Sequence, residues 1–513
     1  MKKTLSILLV IMMLLSCVPA MADYENHVEF TYLGNATSKT LPGDDAYVIQ
    51  KLNEMFNCTI HSIDAVSNDA DQMNQVFADY DNLPDHFLIA TKFLTTVLDQ
   101  ELTREVPISM IKEHAPTVWE LIDKNYPQLK KTAVYVEEND SLLAFPSGLG
   151  EVFPLFMVRQ DWLDKLGLKA PTTLEEFKEV AIAFATKDPD GNGQNDTWAL
   201  ILSEGYANIA PLCAAFGITL PEGSANQQDS WYVDEAGQVA YKAQTSPEFK
   251  ELIKYLNELY EAGAIYPDMS LTNTEGDNIV AEGKIGFHHI ATIEMLPTYS
   301  PQLWYAQMLK NCPGSMGSVL PPLEGSVFEL QTSPWRYHCF GWNCPDEALI
   351  RILEIYEAQC TDMEVHKLIW SGEEGLHYEL VDGMAVKTEA FQSGPIQAGD
   401  ALKWMIINFR HSAEMQLFTF GHEYANVIAF HNRAGEEGAV SKVVNELIPF
   451  GVAKPTVDEY KAILDPFEKE FFYNAVAGTV DVETEWDKYL SDWATMGGEA
   501  SAKEIYELWK AMQ

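Results

Sequence analysis

The chain has 513 residues, 47% hydrophobic and 11% aromatic, which supplies apolar mass for large cores and excludes a disordered protein. Single cores stop growing near about 250–300 residues, so at least two domains are expected. A formal charge of −42, from 76 acidic against 34 basic residues, repels nucleic acid and anionic membrane surfaces; the acids are spread along the chain, as on a solvated surface.

Lys2 and Lys3 precede an apolar run from Leu5 to Leu15, shorter than the ~20 residues of a membrane span and of signal-peptide form. Ala20-Met21-Ala22 supplies a small-x-small cleavage pattern, predicting a signal peptide over 1–22 and a mature N-terminus at Asp23. Leu15-Ser16-Cys17 allows a second reading, in which Cys17 is acylated and the protein is lipid-anchored. Both readings export the chain, to be secreted or held at the cell surface. The later cysteines, Cys58, Cys213, Cys312, Cys339, Cys344 and Cys360, are widely spaced and imply no disulfide framework. Cys339 and Cys344 read as buried thiols or one local disulfide.

Val28 to Leu33 alternates as a strand, Ala46 to Phe56 reads as a helix and Thr59 to Val66 as the next strand, a βαβ opening. Asn82-Leu83-Pro84-Asp85 breaks the chain before an apolar strand over His86 to Ala90. Thr173 and Glu176 predict a capped helix with Leu174, Phe177, Ala181 and Phe184 on one face. Ser246-Pro247 starts another, through Leu252, Leu256 and Tyr260, that Gly263 ends. Ser501 and Glu504 predict the cap of a last helix, whose Ile505, Leu508, Trp509 and Met512 form a core stripe.

Between the helix at Thr173 and the apolar run Trp198 to Leu202 lies Asp188-Pro189-Asp190-Gly191-Asn192-Gly193-Gln194-Asn195-Asp196. Oxygen ligands at every second residue let Asp188, Asp190 and Asn192 converge on one hard cation, with the Gln194 carbonyl and Asp196 next, as in the first part of an EF-hand loop. Calcium suits that set. The competing reading is an Asp/Asn/Gly turn without metal. An EF-hand ends on a bidentate Glu, whereas Ala199 stands at that offset, and a strand follows, so the site would be a structural clip and not an opening sensor.

Several ordered segments carry a resemblance. Arg159-Gln160-Asp161-Trp162-Leu163-Asp164-Lys165-Leu166-Gly167-Leu168, Pro171-Thr172-Thr173 and the acidic loop are similar to a run in the family 1 extracellular solute-binding proteins of carbohydrate ABC importers. Leu83-Pro84-Asp85, Trp231-Tyr232-Val233-Asp234, Gly283-Lys284-Ile285-Gly286, Gly375-Leu376-His377-Tyr378 with Asp382-Gly383, and Gly497-Gly498 follow in the same order, over nearly the whole exported length. The resemblance implies an α/β, two-lobed periplasmic-binding-protein-like (type II) fold, with several crossovers and ligand bound in the inter-lobe cleft. On that pattern the first lobe takes 23–146 plus about 290–345, and the second 147–289 plus about 346–513. It also implies an oligosaccharide ligand, ABC permease partners, a monomer, and structural calcium at Asp188, Asp190, Asn192, Gln194 and Asp196. In alginate-oligosaccharide-binding relatives a carboxylate follows the last Asp; here Thr197 stands there.

Sugars present apolar ring faces to Trp and Tyr and hydroxyls to planar polar groups. Ser333-Pro334-Trp335-Arg336-Tyr337-His338 followed by Trp342 concentrates both kinds, making Trp335, Arg336 and Trp342 the leading ligand candidates and Trp231, Trp370 and Tyr378 the next. Ordinary core packing competes for each aromatic, and for Trp162 it is the preferred reading. Arg159 reads as a structural ion pair with Asp161 or another acid, against the competing reading of a clamp on a carboxylate sugar. No G-x-S-x-G, H-E-x-x-H or phosphate loop is present, and no carboxylate pair stands out for a glycoside hydrolase, so a binder and not an enzyme is expected. A peptide-binding or sensory receptor of the same fold is the alternative.

Overall fold

A βαβ unit opens the fold in a computed structural model that describes residues 24–34, 43–126, 129–147, 155–203, 207–219, 230–290, 303–330, 334, 336–392, 412–419, 421, 441–445, 447–448 and 452–513. Strand β1 (Val28–Leu33) buries Val28, Phe30 and Tyr32 on one face, as its alternation requires. Helix α1 (Tyr47–Phe56) turns Val48, Ile49, Leu52 and Phe56 inward. Strands β2 (Cys58–Ser62) and β3 (His86–Ala90) pair parallel to β1 on its two sides. Strand β4 (Phe145–Ser147) closes the first passage through this lobe.

The second lobe begins at β5 (Leu155–Arg159) and adds α2 (Leu174–Thr186), α3 (Ala210–Ala215), the hairpin β6 (Trp231–Val233) and β7 (Ala240–Lys242), α4 (Pro247–Glu261), β8 (Phe287–Ile290) and β9 (Gly317–Leu320). Strand β10 (Ser326–Leu330) leads back to the first lobe, to β11 (Arg336–Phe340), α5 (Asp346–Thr361) and α6 (Met363–Ser371). Strand β12 (Ser441–Asn445) returns to pair parallel with β10. Helices α7 (Pro455–Val476), α8 (Val482–Trp493) and α9 (Glu499–Ala511) complete the second lobe.

Two sheets carry this α/β architecture. The first has the order β2-β1-β3-β11-β4, with β11 antiparallel to both neighbours. The second has the order β8-β5-β9, all antiparallel, widened by parallel bridges from Trp198 to Ile285 and from Leu200 to Ile265. Each sheet has its own core. One gathers Phe30, Leu52, Phe87, Val118 and Tyr337; the other gathers Phe156, Phe177, Phe184, Leu256, Phe287 and Phe472. Fully burying one such side chain stabilises by about 1.5–3 kcal/mol, so each core holds together independently. Among the described residues, 28–145 and 337–391 contribute to the first core and 156–323 and 472–489 to the second, giving a two-lobed fold.

Core membership departs from the expected lobe assignment in two places. Helices α5 and α6 pack through Leu349, Leu353, Tyr356 and Ile369 into the first core, not the second. Trp304, Tyr305, Met308, Leu320 and Leu323 pack with the second lobe, not the first. Both segments are amphipathic, and either sheet could have covered their apolar faces.

Thr173 and Ser246 cap α2 and α4 as expected, accepting from the N–H groups of Glu176 and Phe249. The helix α4 ends at Glu261, two residues before Gly263, which takes a φ of 73°. At the C-terminus the expected cap is corrected. Ser501 lies inside α9, donating to the Gly497 carbonyl, and Glu504 accepts from the N–H groups of Thr456 and Val457, capping α7 instead. Cys58, Cys213, Cys312, Cys339, Cys344 and Cys360 are all thiols. No helix among the described residues is long and apolar enough to cross a membrane. The expected signal peptide, with Cys17, lies outside the described residues.

Candidate functional site

Parallel β1, β2 and β3 bring their carboxyl ends to one edge of the first sheet, where an open α/β sheet binds ligands. Arg336 stands at that edge because β11 runs antiparallel, pairing Arg336 with Ala90 and Ser147, the last residues of β3 and β4. It is only 9% exposed, and burial lowers its guanidinium to about 10. Further along the same strand face, burial and then the Arg336 charge push the His338 ring down to about 3. His86 Nε2 lies 3.0 Å from His338 Nδ1, and the Tyr356 hydroxyl lies 2.6 Å and 3.1 Å from the two rings. Tyr32 stacks on His86 at 4.2 Å. A buried polar line thus runs from the sheet edge into the first core.

At the same edge the chain leaving β1 enters α1 at Tyr47. The Tyr47 ring lies 4.9 Å from His377, and its hydroxyl donates to the exposed carboxylate of Glu373. This aromatic and carboxylate pair escaped sequence reasoning. Its only signal was Glu373 and Glu374 standing beside Gly375-Leu376-His377-Tyr378.

The other aromatic candidates do not gather there. Trp335 lies outside the described residues. Trp342 follows Phe340, which pairs with His86 at the amino end of β3, and so stands at the opposite sheet edge from Arg336. There it stacks on Tyr80 at 5.1 Å and donates from Nε1 to the Tyr80 carbonyl at 2.8 Å. Trp231 is buried against Trp493 among α7, α8 and α9. Trp370 and Tyr378 are buried with Ala385 and Phe418 in a separate cluster. Protein covers these three rings because large aromatic side chains supply much of the apolar area in each cluster. Trp162 is 1% exposed, in the core as expected, and Arg159 pairs with Asp161 at 2.6 Å while lying 4.4 Å from the Trp162 ring centre.

The acidic loop lies at the far end of the second lobe, after α2. Asp188 has a φ of 46°, and Gly191 and Gly193 take 78° and 79°. At Gly191 a Cβ would meet only the movable end of the Lys165 side chain, so it is the positive φ that calls for glycine there. The Asp188 carboxylate accepts from the N–H groups of Gly191, Asn192 and Gly193 at 2.9–3.1 Å, and Asn192 Oδ1 accepts from Gln194 N–H at 2.7 Å. Asn192 Nδ2 donates at 2.9 Å to both Asp190 and Asp196. Burial, a hydrogen bond with Asp188 and the Asp196 charge raise the Asp190 carboxyl. Burial opposes the lowering of Asp188, but its hydrogen bonds to Asp190 and the loop N–H groups hold it below the usual range.

Among the described residues no three His, Cys, Asp or Glu side chains are gathered so as to hold a metal. The Asn192 amide stands between the carboxylates, its partial positive charge binding them together. The donor set still fits a hard cation, since the groups that accept from Asn192 Nδ2 are carboxylate oxygens of Asp190 and Asp196. Thr197 is excluded from the set. It is 2% exposed and donates to the Phe184 carbonyl at 2.8 Å, tying the loop to α2.

No family model matches the chain. It is 24% identical over 409 residues to the polygalacturonan/rhamnogalacturonan-binding protein YtcQ of Bacillus subtilis, covering 76% of each chain. It is 30% identical over 185 residues to the fructooligosaccharide ABC transporter substrate-binding protein FusA of Streptococcus pneumoniae, covering 32% of this chain and 33% of that one. A solved EF-hand mutant of FusA in complex with fructo-nystose superposes with a TM-score of 0.62 at 16% identity, over 95% of this chain and 99% of that one. The HMO-binding ABC-transporter-associated solute-binding protein of Bifidobacterium longum infantis superposes with a TM-score of 0.63 at 17% identity, over 94% and 98%. The 409 residues aligned with YtcQ exceed either lobe and so take in parts of both, and the chain is a homologue of saccharide-binding proteins such as YtcQ and FusA.

Proposed function

We propose that this protein captures an oligosaccharide between its lobes, at the carboxyl edge of the first sheet, and delivers it to the permease subunits of an ABC importer, catalysing nothing. The observation that carries the reading is Arg336, a guanidinium desolvated at the edge where α/β sheets bind ligands, with Tyr47 and Glu373 at the same edge. Arg336 supplies planar donors for sugar hydroxyls or a sugar carboxylate, and Tyr47 supplies a ring face. The names of YtcQ and FusA, a pectic-polymer binder and a fructooligosaccharide binder, support a saccharide ligand.

The reading includes a structural calcium ion held by Asp188, Asp190, Asn192, Asp196 and the Gln194 carbonyl, with the Asn192 amide turned to present oxygen. The EF-hand of FusA supports it. Bound there, calcium would set two positive charges against three carboxylates and clip α2 to the strand segment at Trp198. The protein acts outside the cytoplasmic membrane as a monomer, released at Asp23 or held through Cys17.

A thermal-shift screen of kestose, nystose and oligogalacturonides of two to five residues, followed by calorimetric titration, tests the reading. A ligand at about 100 times its Kd stabilises the fold by about 2.7 kcal/mol. Binding of peptides with no response to any saccharide, or cleavage of a labelled glycan, overturns it.

A further inference from the structure

The second lobe holds a pocket of about 420 Å³ outside the edge described above, lined by Phe216, Tyr232, Tyr241, Ser246, Glu248 and Gly325. That volume lies in the range of small-molecule sites, about 300–1,000 Å³. The pocket is built from fixed parts. The Tyr232 hydroxyl is held by Thr219 N–H at 2.7 Å and Thr219 Oγ1 at 2.9 Å, and Tyr241 stacks on the Tyr232 ring at 5.5 Å with 27° between planes. Phe216 is braced edge-on by Tyr255 at 5.4 Å. Ser246 Oγ accepts from Phe249 N–H and so retains its own hydrogen to donate. Glu248 stands exposed on the first turn of α4, at the pocket wall, and burial, then the charges of Glu248, Asp234 and Glu235, raise the Tyr241 hydroxyl.

The pocket opens on the end of the lobe where strands finish. Helix α4 leads into Ile265, which bridges parallel to Leu200, so α4 starts where the segment ending at Ser203 stops. Tyr473 donates to the Ser203 carbonyl at 2.8 Å, and its neighbour Phe472 lies 5.7 Å from Phe249, which sets the first turn of α4 level with that strand end.

We infer that this pocket is a second saccharide subsite, taking one neutral sugar ring, with the aromatic rings on its apolar face and Glu248 and Ser246 on its hydroxyls. The inference deepens the oligosaccharide reading above and rests on it. Aromatic walls with one carboxylate and one hydroxyl match a ring that is apolar on its faces and polar at its rim. The exposed Glu248 carboxylate at the pocket wall disfavours uronates by like charge, so this subsite selects neutral residues where Arg336 accepts acidic ones.

Saturation-transfer NMR with methyl α-D-glucopyranoside, methyl β-D-galactopyranoside and sodium galacturonate tests it on the full exported chain. The wild type should show transfer to at least one neutral glycoside. Tyr241→Ala, and separately the exposed Glu248→Ala, should cut that signal at least threefold with melting temperatures near wild type. Galacturonate signal, read in the same samples, should not fall with either variant. No neutral signal in the wild type, or an undiminished signal in Glu248→Ala and in a folded Tyr241→Ala, overturns the subsite. Failure of the wider reading shows separately, as no calorimetric binding of any oligosaccharide by the wild type.

Discussion

Arg336 and Trp342 belong to one stretch of chain yet stand at opposite edges of the first sheet, Arg336 beside Ala90 at the carboxyl end of β3 and Trp342 beyond Phe340, which pairs with His86 at its amino end. A single extended strand separates them, so one sugar ring cannot touch both.

Arg336→Met should therefore weaken oligosaccharide binding by at least about 2 kcal/mol, the scale of a hot spot, and Trp342→Ala should leave it unchanged. Calorimetric titration of both variants, with circular dichroism to verify folding, checks this. Equal losses in the two would move the binding site away from the β3 carboxyl edge.

Calcium should raise the melting temperature and chelator should lower it, because an ion bound only by the folded chain stabilises it by linkage. Asp190→Ala should abolish the difference between calcium and chelator samples while oligosaccharide affinity stays within twofold, since the loop lies at the far end of the second lobe from the strand ends that face ligand. Matching melting curves for wild type with calcium and with chelator would reduce the loop to a turn held by Asn192.

The ammonium of Lys242 lies 2.9 Å and 3.0 Å from the two oxygens of Glu468, which also accepts from Trp493 Nε1 at 2.8 Å, all three residues being buried. Lys242→Met leaves a carboxylate buried without its cation and should cost about 3–5 kcal/mol, whereas Lys242→Met with Glu468→Leu should recover most of that loss. Urea unfolding of both variants measures it; equal stability in the single and double variants contradicts the pairing.

Stability should fall as pH drops from 7 toward 5. Burial lowers both His86 and His338, the latter to about 3, with Tyr32, Tyr356 and Arg336 around them and no carboxylate among these neighbours to hold a proton in place. Above the unfolded histidine pKa of about 6.5 neither state is protonated and nothing is lost. Below it the unfolded chain gains protons that the folded chain refuses, costing up to about 1.4 kcal/mol per pH unit for each ring until the folded pKa is reached. Urea unfolding at pH 7, 6 and 5 should show this slope, reduced in His86→Phe with His338→Phe; an unchanged slope in that variant assigns the acid loss to other groups.

Residue pattern alone determined the elements of the βαβ opening, the starts of α2 and α4 at Thr173 and Ser246 and the place of the acidic loop. Apolar periodicity marks the first, and in the others the partners lie within a few residues, so local hydrogen bonding settles the outcome. Tertiary structure decided what local chemistry leaves open. Glu504 could cap any nearby helix, and it caps α7 because packing of α9 carries it to Thr456. Helices α5 and α6 could cover either sheet, and they join the first because β11 delivers the chain there. Tyr47 and Glu373 are brought together across 326 positions, a meeting that no periodicity encodes. A side chain's type states what it can bind, but only the folded course of the backbone sets which groups it reaches.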